Sequence, residues 1–67
     1  MNKFAERLKE LRQENGLSLL GLSKEVGISD VALGRWENNL RTPNIESLII
    51  LAKYFKVTSD YLLGLED

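Results

Sequence analysis

Gly16 and Gly21 stand at the spacing of the phosphate-binding loop GxxxxGK[ST], but the position that must hold its lysine is Leu22. Without that charge, and without a strand before it, the loop has no means of holding a phosphate. The chain has no cysteine and no histidine, which removes thiol nucleophiles, disulfides, imidazole bases and the common zinc sites. No constellation supports catalysis, and no metal or cofactor is expected. What remains is recognition chemistry. It rests on guanidinium groups such as Arg35 and Arg41, and on the short polar side chains Ser18, Ser29, Asn38, Asn39 and Thr42.

Those groups need elements to position them, and 67 residues allow one domain. A chain this small buries only about 60% of its unfolded surface and has little room for a deep cleft. Nine Lys and Arg face ten Asp and Glu, a net charge of −1. From Met1 to Thr42 there are seven basic and six acidic residues, and from Pro43 to Asp67 two basic and four acidic. The acidic end should therefore face away from any polyanion. The N-terminus, MNKFAERLKE, has no apolar segment, and the longest aliphatic run, Leu48 to Ala52, is far too short to span a bilayer. A soluble cytoplasmic protein without a membrane partner is expected, and the lack of cysteine fits that compartment.

The period of the apolar residues predicts five helices and no strands, over about 3–15, 18–26, 29–37, 45–55 and 59–63. In the first, Phe4, Leu8 and Leu11 form the stripe of an amphipathic helix, ended by Asn15-Gly16. Its Lys3, Arg7 and Lys9 are either phosphate contacts or a solvated face. Ser18 can cap the second helix and Ser29 the third. Between them Gly27 suits the left-handed conformation that ends a helix, so the two helices cross steeply across about three residues. Leu22, Val26, Ile28, Leu33 and Trp36 are placed to lock them together, and the small Ser23 permits the close approach. Pro43 biases Thr42 away from helix, and Asn44 can cap a fourth helix holding Leu48, Leu51, Ala52 and Phe55, with Ile49 close by. That helix is the expected centre of the core. Thr58 can cap a short fifth helix ended by Gly64.

This order of landmarks resembles the helix-turn-helix of the phage repressor and Cro-like family, also called the xenobiotic-response-element family of bacterial regulators. AERLKELRQENGLS matches the family's first helix, and Ser23, Val26, Gly27, Ile28 and Ser29 match its turn. Arg35-Trp36-Glu37-Asn38 matches the tail of its recognition helix, Arg41-Thr42-Pro43 its following loop, and LIILAKYF and DYLLG its closing helices. The resemblance covers nearly the whole chain. It implies an all-α, compact five-helix repressor-like DNA-binding domain whose second and third helices form the helix-turn-helix. It further implies sequence-specific binding of double-stranded DNA by a transcriptional regulator, more often a repressor than an activator.

Mapped onto this chain, the family's base-reading positions are Leu19, Asp30, Val31, Gly34 and Arg35. The family often has glutamine where Leu19 stands, and polar or basic residues at Asp30 and Val31. Arg35 could bond guanine O6 and N7 together, or contact a phosphate or a surface carboxylate. Val31 and Ala32 could touch thymine methyl groups, unless Val31 packs on the preceding helix. Asp30 could accept from cytosine N4, or serve only the dipole of its own helix. Phosphate positioning is expected from the helix starts at Ser18 and Ser29 and from Asn38, Asn39, Arg41 and Thr42. Asn39 replaces a family glycine and can imitate its left-handed conformation. The resemblance also implies that Arg12 pairs with Glu37 to tether the first helix to the third, and that Gly27 and Ser23 are structural. It places two-fold dimer contacts at Tyr61, Leu62 and Leu65, formed either in solution or only on the operator, with Leu62 alternatively in the core. A rival reading keeps the fold without DNA binding and uses Leu19, Leu20 and Val31 as an apolar patch for a protein partner.

Overall fold

In a computed structural model, which describes residues 3–67, helices α1 (Phe4–Glu14), α2 (Leu19–Val26), α3 (Asp30–Glu37), α4 (Ile45–Phe55) and α5 (Ser59–Leu63) follow one another without a strand among the described residues. Four of the five begin at a short polar side chain that satisfies a backbone donor of the first turn. The N–H of Gly21 donates to the Ser18 hydroxyl at 2.9 Å and that of Ala32 to the Ser29 hydroxyl at 3.0 Å. Ser47 donates to the Asn44 side-chain oxygen at 2.7 Å and Tyr61 to the Thr58 hydroxyl at 3.0 Å. Each such cap stabilises its helix by about 0.5–2 kcal/mol. α1 starts at Lys3 with no side-chain cap.

The helix ends are equally regular. After α1, α3, α4 and α5 the chain passes through one left-handed residue, and two backbone bonds close the last turn. After α3 these run from Asn39 N–H to the Trp36 carbonyl at 3.1 Å and from Leu40 N–H to the Arg35 carbonyl at 2.8 Å. That paired pattern satisfies carbonyls the helix leaves open and reverses the chain sharply. The left-handed residue is glycine after α1 and α5 but Asn39 after α3 and Lys56 after α4, with φ of 61° and 59°. Asparagine enters this region readily. Nothing in its type marks Lys56 for it, and the backbone bonds from Lys56 to Lys53 and from Val57 to Ala52 impose it. α2 ends differently, on the single bond from Gly27 N–H to the Ser23 carbonyl at 2.9 Å, with Gly27 at φ 73°.

α3 packs against both α1 and α2, α4 against α2 and α5, and α5 against α1. Phe4, Leu8, Leu22, Leu33, Trp36, Leu51, Ala52 and Leu62 form the buried core, and the Phe4 and Trp36 rings meet edge to face at 6.4 Å. Two expectations need correction. Ile49 does not join the core: α4 buries Leu51 and Ala52, half-buries Leu48 and Phe55, and turns Ile49 outward. Arg7 is neither a phosphate contact nor part of a solvated face. It is buried, with its guanidinium 4.2 Å above the Tyr61 ring and donating to the carbonyls of Tyr61 and Glu66. The Tyr61 carbonyl, in the last turn of α5, also accepts from Gly64 N–H, and the Glu66 carbonyl lies just beyond the helix, where the negative end of the α5 dipole favours a cation.

A Cβ at Gly27 would meet nothing within 4 Å, so the constraint there is backbone conformation and not space. Gly27→Val is therefore expected to lose about 1–2 kcal/mol, seen as a melting temperature several degrees lower without DNA. Lys56→Gly, which relieves the same strain after α4, is expected to gain up to about 1 kcal/mol in the same measurement.

Candidate nucleic-acid interface

The outward face of the α2–α3 pair follows from what the inward face must bury. Leu22, Leu33 and Trp36 are buried at the crossing, and Val26, Ile28 and Ala32 pack partly against them. With those positions committed, the helical period leaves Asp30, Val31 and Arg35 exposed along one side of α3. Gly34 lies on the same helix beneath α2, where a Cβ would come 3.5 Å from Cδ1 of Leu19. Leu19 is accordingly half-buried against α3 and the core. It is not the exposed leucine expected from the sequence. The apolar patch of the rival reading reduces to Leu20 and Val31, since Leu19 fills the space that the missing side chain of Gly34 leaves.

The starts of α2 and α3, at Ser18 and Ser29, both lie at the surface with the cap hydroxyl groups satisfied. Each helix start presents further N–H groups of its first turn and the positive end of the helix dipole. Ser23 lies half-buried within α2, its carbonyl engaged by the turn at Gly27. Asn38, Asn39, Arg41 and Thr42 are exposed in the segment joining α3 to α4. That segment spans a small, mainly apolar cavity of about 110 Å³ lined by Phe4, Leu48 and Leu63 as well as its own residues. Among the described residues neither Arg35 nor Arg41 has an ion-pair partner, and Asp30 has none either. The α3 face thus holds the free guanidinium of Arg35 and the free carboxylate of Asp30, and a second free guanidinium, Arg41, stands in the segment that follows α3.

One ion pair holds α3 in place from behind. Arg12 of α1 donates through Nε to Oε2 of Glu37 at 2.7 Å and through Nη2 to Oε1 at 2.9 Å, while Nη1 donates to the Leu17 carbonyl at 2.8 Å. The Glu37 side chain is only 5% exposed. A planar guanidinium meeting a carboxylate through two parallel bonds fixes orientation as well as distance. The Arg12 pKa is raised above its ordinary value, first by the hydrogen bond to Glu37, against burial, with the charge of Glu37 adding to the rise.

The three residues considered for a dimer contact separate in the structure. Leu62 is 0% exposed and belongs to the core, because the packing of α5 turns this position inward. It is withdrawn as a contact residue. Tyr61 is half-buried beneath Arg7, and Leu65 is exposed. The buried role of Arg7 has one signal in the sequence: it stands next to Leu8 and one turn after Phe4, beside the apolar stripe of α1.

Comparison with known proteins places this geometry among others. A family model described as helix-turn-helix matches residues 8–62. The HTH-type transcriptional regulator YobD of Bacillus subtilis is 34% identical over 96% of this chain and 57% of its own length. Repressor protein C2 of Salmonella phage P22 is 38% identical over 90% of this chain and 28% of its own. The chain thus spans little more than half of the first of these relatives and less of the second. Among solved structures, the P22 c2 repressor in complex with a synthetic operator is 35% identical, with a TM-score of 0.87 over 94% of this chain and 96% of that one.

Removing one partner of the clamp strands the other in a largely buried place. Glu37→Ala is expected to destabilise by up to about 3–5 kcal/mol, while the double replacement Arg12→Met with Glu37→Leu loses less than that single change. Urea unfolding of the three proteins checks the order.

Proposed function

The chain belongs to the helix-turn-helix family of phage-repressor-like DNA-binding regulators, and from that premise we propose that it is the operator-reading domain of a transcriptional repressor. α3 enters the major groove with its N-terminal half against base edges, and α2 lies across the backbone. The observation that carries this reading is the division of α3 into two sides. Leu33 and Trp36 anchor it, while Asp30, Val31 and Arg35 stand free in solvent.

Arg35 bonds the O6 and N7 of a guanine, and Val31 meets a thymine methyl group, whereas Ala32 packs partly against the core. Gly34 and Leu19 set how closely the helix pair approaches the bases. Asp30 accepts from a cytosine amino group where one is offered. The helix starts at Ser18 and Ser29, together with Asn38, Asn39, Arg41 and Thr42, hold phosphates and fix the register. Two copies occupy half-sites about 34–36 Å apart or a multiple of that, with Tyr61 and Leu65 as the contact residues. The P22 c2 repressor, whose structure is that of an operator complex, supports the reading through its likeness to nearly all of this chain.

The charge balance shapes what binding looks like. A net charge of −1 supplies little sequence-independent attraction, so affinity depends on a few well-placed contacts. Titration with mixed-sequence duplex at two salt concentrations is expected to show affinity falling as salt rises, with a log–log slope of about −0.9 per phosphate held. Binding without a salt slope would return the exposed Leu20 and Val31 to the role of a protein-docking patch. On a selected operator, Arg35→Ala is expected to lose preference at one base position by about 1–3 kcal/mol, whereas Arg41→Ala weakens all sequences alike. Equal behaviour of the two variants in a binding-site selection would overturn the division into reading and positioning residues.

A further inference from the structure

Among the described residues, none from α2 or α3 lines the cavity beneath the link from α3 to α4. Its floor is hydrocarbon, from Phe4, Leu48 and Leu63, and its mouth is edged by the exposed Asn39, Arg41 and Thr42. At about 110 Å³ it far exceeds the roughly 10–15 Å³ that one water needs, and so apolar a floor gives water few partners. Protein interiors rarely leave such a space, because each contact left unmade is dispersion attraction lost. The link above it is loosely tied: Arg41, Thr42 and Pro43 make no hydrogen bond or ion pair among the described residues.

Among the described residues that line the cavity none is acidic, and Arg41 alone is charged. An apolar floor with one unpaired cation at the mouth suits an amphipathic anion, its hydrocarbon below and its carboxylate above. We propose that this cavity binds a small monocarboxylate with a branched hydrocarbon tail. The tail packs on Phe4, Leu48 and Leu63, and the carboxylate meets the Arg41 guanidinium, with the Asn39 amide and the Thr42 hydroxyl as further donors. Size sets the tail. A cavity of about 150 Å³ lined by aliphatic and aromatic side chains holds benzene, so this smaller one suits a branched chain of about four carbons. Only the consequence rests on the operator reading: a bound carboxylate and a DNA phosphate draw on the same guanidinium, so each excludes the other from Arg41.

Titration of the free protein at constant pH and ionic strength, followed by its amide NMR shifts, tests the site with three probes. These are 3-methylbutanoate, 3-methylbutanol, which lacks the charge, and acetate, which lacks the tail. The branched acid is expected to bind with a dissociation constant of about 1 mM, moving the amides of Phe4, residues 39–42, Leu48 and Leu63. The alcohol binds in the same place roughly fivefold more weakly, and acetate at least about tenfold more weakly. Arg41→Gln brings the acid down to the affinity of the alcohol and leaves the alcohol unchanged. Leu48→Phe, which fills the floor, removes both, and a thermal melt verifies that each variant folds. Acetate binding as tightly as the branched acid shows an adventitious ion only, and the alcohol binding as tightly removes the carboxylate from the site. Either result overturns the proposal, as do shifts confined to residues outside the lining or no saturation by about ten times the expected concentration. No DNA is present, so loss of this site leaves the operator reading standing, and a chain that fails to bind duplex leaves the site standing.

Discussion

The Arg12 guanidinium is the constraint on which the rest of the structure turns. One rigid planar group joins the end of α1, the carbonyl of Leu17 in the link to α2, and the last residue of α3. Hydrophobic contacts at the crossing of α2 and α3 are non-directional and would tolerate some sliding. A forked ion pair does not, since both bonds lengthen if α3 rotates about its axis. The clamp therefore acts on orientation more than on stability. It holds the far end of α3 while the near end, capped by Ser29, is left at the surface.

A second constraint is economy of chain. Five helices among the described residues leave only short links, so each helix must stop abruptly and the next must begin within a few residues. The structure uses one device for most of the stops, a left-handed residue closed by paired backbone bonds, and one for most of the starts, a short polar cap. The exception is the turn between α2 and α3, where a single bond at Gly27 suffices. The same economy explains Arg7. A short α5 followed directly by the tail brings the Tyr61 and Glu66 carbonyls to the Arg7 guanidinium, which adds a donor to the first, already bonded by Gly64 N–H, and supplies one to the second.

Three surfaces emerge with different chemistry. The α3 side is polar and sparsely charged, with the free guanidinium of Arg35 offset by the Asp30 carboxylate. The α5 side is closed by Arg7 over Tyr61. The α4 side is aliphatic at its centre and oppositely charged at its ends. A neutral domain with such a division gains selectivity at the expense of general adhesion to polyanions, because little of its attraction is independent of which groups meet.

The sequence by itself determined the number and type of the helices, their caps at Ser18, Ser29, Asn44 and Thr58, the glycine at the bend and the family to which the chain belongs. All of these are local: a hydroxyl reaches its own first turn, and a 3.6-residue stripe needs only its own helix. The Arg12–Glu37 pair was legible only through the resemblance, since 25 residues separate its members. Tertiary structure alone decided the rest. It sent Leu62 inward and Ile49 outward although both lie in strongly apolar segments, because only the angle at which a helix docks selects which side of a nearly all-apolar surface is covered. It buried Arg7 against carbonyls more than fifty residues away and tucked Leu19 over Gly34. Partners that distant are chosen by packing, and no periodicity along the chain encodes them.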